Sequence, residues 1–350
     1  MSAVDVLVPC YNYGRYLEQS VGSILGQDGV EVRVLIIDDC SSDDTPVVGQ
    51  RLAAADKRVE FRRHEKNRGH IATYNEGLLE WASAGYCMLL SADDALAPGA
   101  LARATRLMDQ NPEVGMTYGM ALVMVDDDAT GPDGGAASDE HKVVSGVKFL
   151  EHGFENANPV PTPSAVVRTS VQKRLGGYQP DYPHAGDLEM WMRFATEGSI
   201  GVVRAVQAWY RWHTSNMSHQ YYGQLASDLR ELGEVGKEVL RRCGDRFPQT
   251  GAWRKRFARS LSRRAVASTS SAFNGGRMDE CRARLEFACE LWPGVRSSGA
   301  WWRLAAKRLA GQSLWRALRP AVNRLRGVPV EESGGRPRLW RGLKMGWWPE

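Results

Sequence analysis

What this chain lacks narrows its class before anything it contains. Its six cysteines (Cys10, Cys40, Cys87, Cys243, Cys281 and Cys289) form no CxxC pair and show no metal-ligand spacing. Reduced cysteines in a cytosolic protein are therefore expected, not a disulfide framework or a zinc ribbon. No apolar run approaches the roughly 18–20 residues needed to cross a bilayer. No basic stretch, apolar core and cleavage site precede VDVLVP, so no export leader is expected. The chain reads as cytoplasmic, or as peripheral on the inner face of a membrane. No internal repeat emerges beyond one copy of a helical-hairpin-like stretch at 277–293.

Charge is unevenly distributed. The net charge of +4 combines residues 1–240, with 21 Lys/Arg against 33 Asp/Glu, and residues 241–350, with 24 against 8. A chain of 350 residues exceeds one typical domain. A large domain over 1–222 and a basic helical region over 223–350 are expected. Residues 241–350 hold 21 Arg and 3 Lys, interleaved with Trp253, Trp292, Trp301, Trp302, Trp315, Trp340, Trp347 and Trp348. Three readings compete for them: amphipathic helices on an anionic membrane, a nucleic-acid surface without a recognised motif, and a solvated basic bundle. Nucleic acid is the least favoured.

The first half alternates short apolar runs with helical stretches. Val4–Val8, Val32–Ile37, Val59–Arg62, Tyr86–Leu90 and Val114–Val125 read as strands, and residues 15–27, 44–55, 71–84 and 98–109 as helices. Continuous apolar strands separated by helices predict an α/β fold: a doubly wound, mostly parallel sheet covered on both faces. Further on, 126–141 reads as a mobile loop, PVPTP at 159–163 as an irregular crossing, 186–197 as an amphipathic helix and 202–212 as a strand. From about residue 223 the pattern is helical to the end.

In such sheets ligands sit beyond the carboxyl ends of the strands. Polar clusters fall there four times in order: Tyr11-Asn12, Asp38-Asp39, Asn67–Gly69 and Asp93-Asp94. Two adjacent carboxylates closing a buried strand suit a divalent cation, or else cap the next helix. Asp187 opens a predicted helix, where the dipole keeps a carboxylate ionised and fit to act as a base; a plain N-cap is the alternative. Glu189, two residues on, points elsewhere and is a poorer candidate. Trp191 is expected to pack the helix on the core.

Residues 6–17 (VLVPCYNYGRYL), 36–45 (IIDDCSSDDT), 67–69 (NRG) and 89–99 (LLSADDALAPG) resemble the successive signatures of family 2 glycosyltransferases of the GT-A fold. Residues 186–193 (GDLEMWMR) resemble the segment carrying that family's base, and 210–218 (YRWHTSNMS) its YRxHxxNxS close. The resemblance spans roughly residues 3–220. It implies an inverting transfer of a sugar from a nucleotide diphosphate donor to a hydroxyl of a glycan, a lipid-linked glycan or a small molecule. Pro9, Tyr11 and Asn12 would line the donor pocket, with Tyr11 against the base. Asp39 would accept from a nucleobase N–H, which favours UDP or dTDP. Arg68 would reach the diphosphate or the base. Asp93 and Asp94 would meet ribose, donor sugar and metal, His213 would join them at a Mn²⁺ or Mg²⁺ ion, and Asp187 would be the general base. The usual D-x-D opens with aspartate, and Ser91 stands in its place.

Two rivals differ in class. A sugar-1-phosphate nucleotidyltransferase would need a Gly-rich, Arg-bearing loop after the first strand, where this chain has PCYNYGRYL. A non-catalytic binding module on the same fold is kept open by Ser91.

Overall fold

The computed structural model describes residues 1–125, 138–156, 158–216, 225–325 and 344–350. The chain divides into two compact units. One comprises Met1–Gly153, Asn158–Thr214 and Pro337–Glu350; the other comprises Phe154–Ala157 and Ser215–Arg336.

The first unit is built on one sheet. Its elements run β1 (Ser2–Cys10), α1 (Gly14–Leu25), β2 (Val30–Asp38), α2 (Thr45–Ala55), β3 (Val59–Arg63) and α3 (His70–Asn75), which continues as a π-helical turn to Trp81. Then come β4 (Tyr86–Leu89), β5 (Ala95–Leu96), α4 (Ala100–Gln110), β6 (Val114–Val125), β7 (His141–Val144) and α5 (Gly146–Glu155). A 3-10 turn at Thr162–Ser164, β8 (Val166–Arg168), α6 (Thr169–Leu175), α7 (Gly186–Glu197) and β9 (Ser199–Trp212) complete the run. The strand order is β3-β2-β1-β4-β8-β6-β9-β5.

Strands β3, β2, β1 and β4 pair in parallel, as their unbroken apolar runs predict. Val6, Leu7, Val8, Val34, Leu35, Ile36 and Ile37 are at most 1% exposed, so both faces of this part are covered. Register aligns the strand ends: Cys10 pairs with Asp38 and Asp38 with Arg63, while Leu90 and Ala92 donate to the carbonyls of Leu7 and Pro9. The four polar clusters therefore lie along one edge. Beyond β4 the sheet becomes mixed, because β8 inserts antiparallel between β4 and β6, while β9 runs parallel to β6.

Sequence periodicity missed β5, β7 and β8, which are two to four residues long and too short to carry a period. Most of the loop expected at 126–141 lies outside the described residues, and its last residue, His141, opens β7.

The second unit is helical: α8 (Leu225–Cys243), α9 (Thr250–Asn274), α10 (Met278–Leu291) and α11 (Gly299–Leu325). Trp253, Leu261, Ala265, Val266, Phe273 and Ala288 are buried inside it. Arg284 is also buried, donating to the Ser268 carbonyl at 2.9 Å and to Glu280. Helix does not continue to the end of the chain as expected. Residues 344–350 rejoin the first unit, where β10 (Lys344–Met345) pairs antiparallel with β6. A local helical pattern cannot reveal this, because β10 takes the stretch of β6 at Ala121 and Leu122 that lies beyond its two-residue pairing with β8.

Candidate active site

Where β1, β2 and β3 end, three loops are tied together by side chains. Asn12 adopts a left-handed conformation (φ 61°), which asparagine tolerates better than most residues. Its Oδ1 accepts from the Ser42 amide at 2.8 Å, and its own amide donates to Ser41 Oγ at 2.9 Å. Gly14 opens α1 hard against the next loop: a Cβ there would lie 2.7 Å from the Thr45 amide nitrogen. Its amide donates to Asp43 at 3.0 Å. Tyr11, by contrast, is 49% exposed, an aromatic face open to solvent at the strand end. Pro9 is half-buried in β1.

Asp39 is buried, and its carboxylate organises the loop after β3. It accepts from the Arg68 amide at 2.8 Å and the Gly69 amide at 2.9 Å, and Oδ1 lies 2.7 Å from His64 Nδ1. The other ring nitrogen of His64 lies 3.0 Å from Glu76. Losing the acceptor would release the two loop amides and leave the buried His64 ring without its Asp39 partner. Arg68 turns its guanidinium to Glu76 at 2.6 Å, so its charge is paired in this state.

At the end of β4 the two neighbouring aspartates are used differently. Asp94 is buried and accepts from the Arg211 amide of β9 at 2.9 Å. Burial, reinforced by the adjacent Asp93 charge, pushes its carboxyl well above the usual range. Asp93 meets His213 instead, with Oδ2 3.1 Å from Nε2. The His213 ring is held between Tyr13 and Tyr16, whose centroids each lie 5.2 Å away. Arg211 ties the group together: its Nε donates to the Asp93 carbonyl at 2.8 Å and its guanidinium lies over Tyr16 at 4.6 Å. It also bonds Gln19 of α1.

Among the described residues no group of three or more His, Cys, Asp or Glu side chains converges as a preformed metal cage. In the Asp93–His213 pair one carboxylate oxygen and one imidazole nitrogen lie 3.1 Å apart, and the imidazole is buried. That donor set fits an ion which takes its remaining ligands from a diphosphate and water.

Asp187 lies in the first turn of α7 and accepts a short hydrogen bond from Thr162 Oγ1. Burial raises its pKa, offset by the Thr162 hydroxyl, the His70 charge and the Tyr178 hydroxyl. Tyr178 is fixed to α3 by two bonds to Asn75, at 2.7 and 2.9 Å. Glu189 is fully buried and paired with Arg193 at 2.7 Å, so its role is structural. Trp191 is buried in the core.

The loop carrying Thr162 is supported by the chain's last residues. The Trp347 amide donates to the Pro159 carbonyl at 3.0 Å, and the Trp347 carbonyl accepts from Tyr118 at 3.0 Å. The indole stacks on His152 at 3.8 Å.

The structure thus brings Asp93, Asp94 and His213 together across β4 and β9. It gathers Asn12, Asp39 and Arg68 along the neighbouring strand ends, and sets Asp187 against Thr162. The last two residues of the YRWHTSNMS motif and Trp340 lie outside the described residues. Sequence reasoning missed His64, Arg211, Thr162 and Trp347. His64 lies three residues before the quoted NRG and Arg211 lies inside the quoted YRWHTSNMS, but nothing in one sequence marks Thr162 or Trp347 as neighbours of the site.

A sheet with helices on both faces is an arrangement shared with solved structures. Staphylococcus aureus TarS 1–349 in complex with UDP-GlcNAc aligns with a TM-score of 0.52 at 16% identity, over 84% of this chain and 92% of that one. The fold is that of the GT-A glycosyltransferases. Residues 5–138 match the family model described as Glycosyl transferase family 2. An uncharacterized protein of Mycobacterium tuberculosis is 28% identical over 206 residues, covering 56% of this chain and 63% of that protein. The GalNAc(5)-diNAcBac-PP-undecaprenol beta-1,3-glucosyltransferase of Campylobacter jejuni is 30% identical over 155 residues, covering 44% of this chain and 49% of that protein. The chain therefore spans less than two thirds of the length of both relatives.

Proposed function

We propose that this chain is an inverting glycosyltransferase that moves a sugar from a nucleotide diphosphate donor, UDP- or dTDP-linked, onto an acceptor hydroxyl. The observation that carries this reading is the convergence of Asp93 and His213 at the end of β4, on the edge that also presents Tyr11, Asn12 and Asp39. The Campylobacter jejuni relative, named for an undecaprenol-linked glycan, supports a lipid-linked or polymeric glycan as acceptor.

Tyr11 offers a ring face for the base, as aromatics do for any nucleobase. Asp39 shapes the pocket by holding the Arg68–Gly69 backbone. Asp93 and His213 would hold a divalent cation, which supplies charge neutralisation for the leaving diphosphate. Asp94 braces that corner against β9. Arg68 is placed to exchange Glu76 for a donor phosphate. Asp187 accepts the proton of the attacking hydroxyl while Thr162 orients its carboxylate. A single base with one displacement inverts the anomeric centre.

A thermal-shift panel of UDP, dTDP, GDP and CDP sugars, each with Mn²⁺, Mg²⁺ or EDTA, tests the donor. A ligand that binds only the folded state raises its melting temperature. Stabilisation by a UDP- or dTDP-sugar that disappears with EDTA is expected. Folded protein with no response to any donor would favour a non-catalytic module.

A further inference from the structure

Among the described residues, the large apolar side chains left in water are concentrated on one element. Trp302 is 65% exposed, Leu309 89%, Leu314 53% and Leu318 45%, and all four lie on α11. Their spacing is helical. Trp302, Ala306 and Leu309 form one stripe, and beyond a break at Gly311 (φ 77°) Leu314, Ala317, Leu318 and Ala321 form a second. The helix is docked on its own unit by other positions. Leu304 is buried, Lys307 Nζ donates to Ser270 and Asn274 at 2.7 and 2.9 Å, and Trp315 donates to Asn274 at 2.9 Å. In the first half, Trp302, Ala306 and Leu309 fall on the side opposite Leu304.

The charge on this helix has one sign. Residues 299–325 contain six Arg or Lys and no Asp or Glu, and Arg303, Arg308 and Arg316 are exposed. Helix α9 repeats the pattern with six basic residues and no acidic one. Beside it lies an open groove of about 640 Å³ lined by Arg254, Lys255, Arg259 and Trp292.

We propose that α11 is an interfacial helix that seats this protein on an anionic lipid bilayer, its leucines and Trp302 entering the headgroup–acyl boundary and its arginines pairing with lipid phosphates. Each alternative leaves one half of the pattern unexplained. A nucleic acid would use the arginines and leave the leucines in water. A second copy meeting this face would bury the leucines and crowd like charges together. An anionic bilayer satisfies both. The inference stands apart from the roles given to Asp93 and Asp187, and its test is run without donor.

The full chain is sedimented with vesicles of phosphatidylcholine alone and with vesicles that also contain phosphatidylglycerol. It is expected to pellet with the anionic vesicles only, and less so as salt rises. Leu314→Ser with Leu318→Ser should cut partitioning about tenfold or more at unchanged melting temperature, since two buried leucines are lost from the bilayer. Arg303→Glu with Arg316→Glu should remove the preference for phosphatidylglycerol. Absence of pelleting would overturn the proposal. So would pelleting that survives the leucine pair, as would binding of single-stranded RNA that the leucine pair leaves intact and the Arg→Glu pair removes. Self-association abolished by the leucine pair, without pelleting, would assign the face to a second copy.

Discussion

Two carboxylate regions of the first unit use the same side chain for opposite ends. At the end of β4, Asp94 is spent on the Arg211 backbone of β9 and Asp93 faces the His213 imidazole. At the start of α7, Asp187 has hydroxyl partners, Thr162 and Tyr178, in a mostly buried setting. A carboxylate beside an imidazole suits cation binding, where its charge is wanted in place. A carboxylate among hydroxyls with a raised pKa suits proton transfer, where its charge must change. The difference lies in the neighbours, each contributed by an element distant in sequence.

The sharpest way to break this contrast is Asp187→Asn. Turnover should fall by roughly 10²–10⁴-fold while donor-dependent thermal stabilisation persists. Turnover within a few-fold of the parent would remove Asp187 as base. Stability gives an independent reading. A carboxyl whose folded pKa is raised contributes stability that is complete below its unfolded pKa and lost as pH rises through the folded pKa. The asparagine variant should therefore melt higher than the parent at neutral pH, with the gap closing in acid.

The second test bears on the other region. Asp93→Ala and His213→Ala should each abolish the EDTA-sensitive part of donor stabilisation and lower turnover by about 10²-fold, the scale of several kcal/mol of charge stabilisation. Asp94→Asn should keep most activity, because an amide oxygen still accepts from the Arg211 amide; Asp94→Ala should not. If Asp94→Asn proved as damaging as Asp93→Ala, both carboxylates would be ligands and the division of labour between them would fail.

The third test sharpens the comparison without removing either carboxylate. The Thr162 hydroxyl lowers the Asp187 pKa against the rise caused by burial. Thr162→Val should move the acid limb of the kcat profile to higher pH, because the base must be ionised and would now protonate sooner as pH falls. An unshifted limb with reduced kcat would mean that Thr162 only orients Asp187.

Much of this is legible in the sequence for one reason: the parallel half of the sheet repeats one local pattern, an apolar run followed by a polar turn. That pattern alone puts Asp39, Asn67–Gly69 and Asp93-Asp94 on a common edge. The mixed half offers no such pattern. β5 and β8 hold two and three residues and exist because longer strands pair with them. Asp187 is legible as a helix-opening carboxylate, but its pairing with Thr162 depends on the 159–164 turn, whose position no periodicity records. Asp39 illustrates a finer limit. Its type and place suggest a contact to the base, while the structure shows it also accepting from two loop amides 29 and 30 residues away.

The smallest effect is expected furthest from the chemistry. Trp347 touches neither carboxylate region, yet it braces the turn on which Thr162 sits, through the Pro159 carbonyl and the stack on His152. Trp347→Ala keeps the backbone bond and removes the stack, an interaction of about 0.5–1.5 kcal/mol beyond its buried area. The melting temperature should drop by a few degrees, as that loss implies for a domain of this size. If the turn loosens, kcat should fall a few-fold with donor KM unchanged, because only the Asp187 side depends on this brace. A lower melting temperature at unaltered kcat would show that the tail stabilises the sheet edge and leaves Asp187 alone. A change in donor KM would mean that the two regions are coupled through β6 and β9, and the two carboxylate regions would then have to be treated as linked sites.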